Sequence, residues 1–333
     1  MNTKRWIALV VAGGLLFVSM GFQFLTSLVT ADFESMFSFQ EVGGTFDEKV
    51  IEEGTGTNKI AVIHLNGIIQ DTTPSTLINT NSYNHKRFLD MLDEAAEDRN
   101  VSGIILRVNT PGGGVVESAE IHDKILEIKE EYEKPVYVSM GNTAASGGYY
   151  IAAPADKIIA HKATLTGSIG VIMESFNFAE FADEHGIDFN TIKSGEYKDI
   201  MSMSREMTDD EREILQTMID DMYGDFVQVI VEGRNMSEER VRELGDGRVY
   251  TGGQAKEVDL VDELGSLDDS IAMMKEDHEL GNAQVIEYEQ GLDINQYLGG
   301  TISSMFGAES DLISIKDLLR ENNAPRAMYL YSK

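Results

Sequence analysis

The sequence predicts an α/β protein built around a largely parallel sheet and preceded by one transmembrane helix. Three observations carry that reading. Short β-branched runs alternate with segments of helical period through the body of the chain. Glycine-rich turns follow two of those runs, at Pro111-Gly112-Gly113-Gly114 and at Ser146-Gly147-Gly148, and ligands of such folds bind beyond the carboxyl ends of strands. Residues 6–31 hold no charged side chain, a run longer than the ~20 residues that a bilayer-spanning helix needs.

Taken in order, the first element is the anchor, 1–31. Lys4 and Arg5 precede the apolar run, and Asp32 and Glu34 follow it. Positive charge stays on the cytoplasmic side, so the expected placement is a single-pass protein of the cell membrane. Its N-terminus is inside and its body outside. A cleaved signal peptide ending at Val29-Thr30-Ala31 is the competing reading, but its apolar region is normally ~7–15 residues. Residues 32–58 are acidic, carry Gly43-Gly44 and Gly54-Thr55-Gly56, and show no periodicity. They read as a flexible stalk.

The body, 59–290, begins with a strand over 60–69, then a helix over 86–97 with Phe88, Leu89, Leu92 and Ala95 on one side. A strand at 104–108, a helix at 118–132 and a strand at 135–140 follow, the last turning into an Ala/Gly-rich helix from Ala144. Residues 157–160, 170–173 and 188–192 read as further short strands. After Lys198 the chain turns helical: Ile214, Met218, Ile219, Met222, Phe226 and Ile230 recur at helical spacing. Shorter helices are expected over 237–244 and 252–259. The C-terminal segment, 291–333, ends in Met328-Tyr329-Leu330-Tyr331. An aromatic tail of that kind calls for a docking place on its own chain or on a neighbour.

Composition narrows the functions. The 333 residues include 57 acidic and 27 basic side chains, a formal charge of −30. Such a surface repels phosphate backbones and anionic lipid, so no nucleic-acid partner is expected and lipid contact falls to the N-terminal helix. There is no cysteine, which excludes thiol catalysis, disulfides and Cys-based zinc sites. Neither GxxxxGK[ST] nor GxGxxG occurs, so a nucleotide cradle lacks its partners. No cofactor and no metal are expected.

Ser146 stands in Ala144-Ala145-Ser146-Gly147-Gly148-Tyr149-Tyr150, where a strand passes into a helix. Small neighbours let a substrate backbone approach, and the Gly147 amide can donate to an oxyanion. The turn at 111–114 can supply a second amide donor. Read blandly, these are a packed helix start and a plain turn. A serine nucleophile needs a base. Six histidines are present and none lies in a motif, although His161 and His122 keep a Ser-His-Asp arrangement open. A lysine serves where desolvation lowers its pKa. Lys198 follows Ser194-Gly195-Glu196-Tyr197, where its other reading is a solvated loop residue. A silent membrane scaffold and a crotonase-like acyl-CoA enzyme remain as readings of other classes.

The four motifs PGGG, AASGGYY, LTGSIGV and SGEYKD together resemble the signal peptide peptidase A family of the short bacterial type, a likeness running from the anchor to about Leu264 and including the closing MYLY. That resemblance implies stacked ββα units of the Clp-protease and crotonase superfamily with an added helical layer. It implies a serine endopeptidase with Ser146 as nucleophile and Lys198 as general base. Ser168 would orient the lysine amine, and Gly113 and Gly147 would form the oxyanion hole. It further implies a homo-oligomeric ring or dome that shares the dyad between protomers, with remnant signal peptides and other hydrophobic peptides as substrates.

Overall fold

The computed structural model of the chain describes residues 46–71, 83–289 and 327–331. The expected anchor, 1–31, and the first part of the expected stalk lie outside them. Among the described residues no helix is long and apolar enough to cross a membrane.

Strands β1 (Asp47–Glu52) and β2 (Lys59–Asn66) come first, followed by helix α1 (His85–Glu97), β3 (Val101–Thr110), the short β4 (Gly112–Gly114), α2 (Val115–Glu131) and β5 (Val136–Ala145). Then come α3 (Gly147–Ala152), β6 (Lys157–Ala160), β7 (Leu165–Gly167) and α4 (Ala179–Glu184). The long α5 (Asp209–Arg234) and α6 (Glu238–Leu244) precede β8 (Val249–Thr251), α7 (Gly252–Glu257), β9 (Glu263–Leu264), α8 (Leu267–Asp277), β10 (Gln284–Glu289) and β11 (Met328–Leu330).

Nine strands form one sheet in the order β1-β10-β2-β3-β5-β6-β9, with β7 beside β5 and β8 beside β7. Only β1–β10 and β7–β8 are antiparallel, so the sheet is the largely parallel one expected. A parallel sheet needs cover on both faces, and β2 shows how the sequence meets that need. Ile60 and Val62 join Ile105, Tyr137 and Ile159 in one core, closed by Ile271 and Met274 of α8. Ala61, Ile63 and Leu65 point the other way, toward Phe88 and Leu92 of α1, Ile121 and Ile125 of α2, and Phe226 and Ile230 of α5. Helix starts are set by side-chain caps: Asn84 accepts the Arg87 amide at α1, and Thr208 and Glu211 form a capping box at α5.

Several expectations are corrected. The described part of the stalk is not all flexible linker, because Asp47–Glu52 pairs with β10 as the sheet's edge strand. The run over 60–69 is not one strand: β2 stops at Asn66, Gly67 turns with φ 94°, and Ile69 pairs separately with Gly113. Strand β5 does not end at Met140. It runs on to Ala145 because Thr143, Ala144 and Ala145 find a new partner in β7 where β6 ends. The Asn109 carboxamide oxygen accepts the Thr143 amide across the gap. Residues 188–192 are not a strand; they are exposed and irregular. Of 170–173, only Ile172 pairs, through a bridge to Met328.

Helix α5 lies close against the end of α3, and Gly233 sets the distance. A β carbon there would fall 2.2 Å from the Ala153 carbonyl oxygen. Alanine in place of glycine favours a helix by about 1 kcal/mol, but overpacking against a backbone atom costs about 1–3 kcal/mol. Gly233→Ala is therefore expected to lower the urea unfolding midpoint. A raised midpoint would mean that the α3–α5 contact gives way freely.

Candidate active site

Strand β5 ends at Ala145 and α3 begins at Gly147, which leaves Ser146 as the N-cap with φ 54° and ψ −117°. A positive φ on a residue with a side chain costs ~1–3 kcal/mol and persists only where its surroundings impose it. Here the Ser146 amide donates to the Gly167 carbonyl at 2.7 Å, and the Ser146 carbonyl accepts from Tyr149 at 2.8 Å and Tyr150 at 2.9 Å. The hydroxyl takes no part in capping α3, and the residue is 1% exposed. A serine on a strained strand-to-helix turn, spared from capping, is a serine presented for chemistry.

Strand β4 passes beside this turn at a distance only glycine permits. A β carbon on Gly147 would stand 2.7 Å from the Ser118 Oγ and 3.2 Å from the Gly113 amide nitrogen. One on Gly112, whose φ is 101°, would stand 2.0 Å from the Tyr329 carbonyl oxygen and 2.6 Å from the Gly147 amide nitrogen. The amides of Gly113 and Gly147 and the carbonyl of Tyr329 thus share one small space.

Each edge of β4 has its own partner. On one side the Ile69 amide donates to the Gly112 carbonyl at 2.9 Å, and the Ile69 carbonyl accepts from Gly114 at 2.8 Å. On the other, β11 runs antiparallel with Met328, Tyr329 and Leu330 opposite Gly114, Gly113 and Gly112. Ile172 closes the far side of the tail through a pair of 3.0 Å bonds with Met328, and the Tyr331 amide donates to the Pro111 carbonyl at 2.8 Å. The Tyr329 ring is 1% exposed, stacked on Tyr150 at 4.9 Å and tilted against Phe226 at 4.7 Å. Its hydroxyl donates to the Met222 carbonyl at 3.1 Å. Burial pushes the phenol well up from its ordinary value, so it stays protonated and remains a donor.

Ser146, Gly147 and Gly113 are therefore brought together. Ser168, with φ 50°, directly follows the Gly167 carbonyl that holds Ser146, and its own amide donates to Arg248. Lys198 makes no hydrogen bond to any of them. It lies exposed in the turn where its amide reaches the Gly195 carbonyl at 3.3 Å. Of the histidines considered, His161 accepts the Ala163 amide and His122 packs edge-on against Tyr150; neither is bonded to Ser146.

Four contributors were not singled out from sequence as parts of the site. Ile69 was absorbed into a longer strand, and the signal that separates it is Gly67. Buried Ser118, which donates to the Gly114 carbonyl at 2.8 Å, sits one turn after a glycine run at a helix start. Tyr150 and Phe226 read as core positions and carry no local mark of lining a pocket.

The sequence pattern of peptidase family S49 matches residues 128–281, a span that includes Ser146, Ser168 and Lys198. A signal peptide peptidase SppA of Enterococcus faecium is 38% identical over 99% of this chain and 99% of its own length. Protease 4 of Salmonella typhi is 35% identical over 65% of this chain and 34% of that protein. The chloroplastic serine protease SPPA of Arabidopsis thaliana is 30% identical, covering 79% of this chain and 39% of that one.

The aromatic stack at Tyr329 is worth roughly 0.5–1.5 kcal/mol beyond the area it buries. Tyr329→Ala is expected to speed hydrogen exchange at the amides of Met328, Ile172 and Tyr331. Unchanged protection would mean that the backbone ladder alone holds the tail.

Proposed function

Because the chain belongs to peptidase family S49 and is a serine protease, we propose that it hydrolyses apolar peptides with Ser146 as nucleophile and Lys198 of a neighbouring copy as general base. One observation carries this reading: the Tyr329 carbonyl lies where the Gly113 and Gly147 amides meet beside a strained Ser146. That is the place a substrate carbonyl takes in acyl transfer. A substrate strand would replace β11 between β4 and Ile172, giving backbone pairing without demanding a sequence.

In the reaction, the neutral Lys198 amine takes the Ser146 proton as Oγ bonds to the peptide carbonyl carbon. The carbonyl π electrons move to oxygen, where the Gly113 and Gly147 amides hold the charge. Collapse breaks the C–N bond, and the lysine ammonium protonates the leaving amine. Water then gives a proton to the lysine and attacks the acyl carbon. The second collapse frees the acid and returns the proton to Ser146. Ser168, on its positive-φ turn beside Gly167, orients the amine.

Lys198 rides on an arm over residues 171–207 that folds back on itself, the Phe178 amide donating to the Met203 carbonyl at 2.9 Å. That arm exposes Phe176, Phe181, Ile187, Phe189 and Ile192. Apolar exposure of this extent supports a homo-oligomer, a ring or dome, whose contacts cover the arm and deliver the lysine. The sheet, with β4 and β7 turned out of its main ladder, supports kinship with the Clp-protease and crotonase superfamily. The uncharged run at 6–31 supports anchoring in the cell membrane with the catalytic body outside, beside remnant signal peptides.

Ser146→Ala and Lys198→Ala should each lower cleavage of a signal-peptide substrate by about 10⁴-fold or more. Full activity in either variant would remove the dyad.

The tail is itself placed as a substrate, with Tyr329 in the position preceding the cut. Mass spectrometry is expected to find a protein ending at Tyr329 in the wild type and at Lys333 in Ser146→Ala. Identical termini would show that the tail is bound without being trimmed.

A further inference from the structure

The loop before Lys198 has little to hold it. Residues 188–198 are exposed, belong to no strand, and bury no apolar side chain. Yet the carboxylate of the residue that follows Lys198 is held by two cationic side chains of the arm, Arg205 and Lys193. Asp199 accepts from Arg205 Nε at 3.0 Å and from Arg205 Nη2 at 2.7 Å. It also accepts from Lys193 Nζ at 2.6 Å, and that lysine reaches the Glu196 carbonyl at 2.7 Å. The same Arg205 donates to the Asp199 backbone carbonyl at 3.0 Å and to the Glu206 carbonyl at 3.0 Å.

The remaining reach of the guanidinium goes to Glu211. Nη1 donates to its Oε2 at 2.8 Å, and Nη2 pairs with its Oε1. Glu211 is 2% exposed and is the capping-box residue of α5, accepting the Thr208 amide at 3.0 Å. The Arg205 hydrogen bonds hold the carboxyls of Asp199 and Glu211 well below the usual carboxylate range, so both stay charged at neutral pH. An isolated exposed ion pair contributes only ~0–1 kcal/mol. A planar fork shared by two carboxylates, one of them buried, gives direction as well as energy.

We propose that Arg205 is the positioning residue for Lys198: its guanidinium locks the 193–199 loop to the start of α5 and so presets the direction in which the lysine is offered. This rests on the reading of Lys198 as general base. The long helix α5 packs on the main core through Phe226 and Ile230, so the lock refers an exposed loop to the rigid body of the protein. Lys198 itself keeps no ion pair among the described residues, and it is exposed.

The test uses the full-length assembled enzyme, a peptide substrate, and the variants Arg205→Ala, Asp199→Ala and Lys198→Ala. Misplacing a catalytic group by about 1 Å costs up to ~100-fold. Arg205→Ala and Asp199→Ala are therefore expected to lose roughly 10- to 100-fold in kcat with KM within about twofold of wild type. Their assembly mass should match the wild type. Added guanidinium ion should restore part of the activity of Arg205→Ala and none of that of Lys198→Ala. Wild-type kcat in Arg205→Ala beside an inactive Lys198→Ala would overturn the positioning role alone. An active Lys198→Ala would overturn the base reading instead. Should Arg205→Ala fail to assemble, Asp199→Ala decides, because it leaves the Arg205–Glu211 pair and the α5 cap in place; wild-type kcat there overturns the proposal.

Discussion

The Ser146 amide donates to the Gly167 carbonyl at 2.7 Å, and this bond decides where strand gives way to helix. It joins the last residue of the β5 path to the end of β7, so the chain cannot turn into α3 any earlier. The cost is a positive φ at a residue with a side chain, about 1–3 kcal/mol. The result is a hydroxyl that does not cap the helix it precedes. Tyr149 and Tyr150 tie the other side of the same peptide, and both rings are buried, so the strained turn is braced by core packing and not by solvent-facing bonds. Removing either brace would let Ser146 relax into an ordinary cap, with its hydroxyl turned to the α3 amides.

Strand β4 is the second part of that constraint. It is three glycines long and cannot hold its shape through side chains. Its conformation comes from Ile69 on one edge and from the Gly114 carbonyl's bond to Ser118 at the start of α2. With that edge occupied, the opposite edge is free to pair with whatever extended chain arrives, and here β11 occupies it. The glycines thus serve two ends. They let Gly147 approach, and they leave the edge that pairs with β11 without side chains of its own.

Much of this was legible in the sequence where local pattern and tertiary role coincide. β3 and β6 are β-branched, doubly buried and read correctly as strands. The apolar residues from Ile214 to Ile230 recur at helical spacing, and they lie on α5. Ser146 and Gly147 drew notice as a serine and a glycine at a strand end, a pattern that also suits a packed helix start, and Gly113 was singled out by the family resemblance. Legibility failed where pairing is remote. Strand β1, DEKVIE, is rich in charge because its edge position exposes it, and β10, QVIEYE, lies between β1 and β2; nothing local says that the two pair across more than two hundred residues. The apolar residues at 187–192 failed in the opposite sense. Their hydrophobicity suggested a buried strand, but no described part of this chain covers them. If the base comes from a neighbouring copy, as proposed, no local pattern of one chain records the place of Lys198 relative to Ser146.

On the proposed reading, that last failure has an energetic cause. A formal charge of −30 makes copies of the chain repel one another, and bringing two chains together costs about 4–15 kcal/mol before any contact is made. Covering one large apolar side chain contributes about 1.5–3 kcal/mol. No single residue meets that cost, but an arm that exposes Phe176, Phe181, Ile187, Phe189 and Ile192 together does. The side chains that make association favourable therefore lie on the segment that carries the lysine. A lone chain holds a strained serine and an oxyanion pocket without a base, and cannot cleave. The base arrives only with burial of the arm, so the energy that forms the assembly is the same energy that completes the active site. Peptide-bond hydrolysis is in this way confined to the place where copies have gathered.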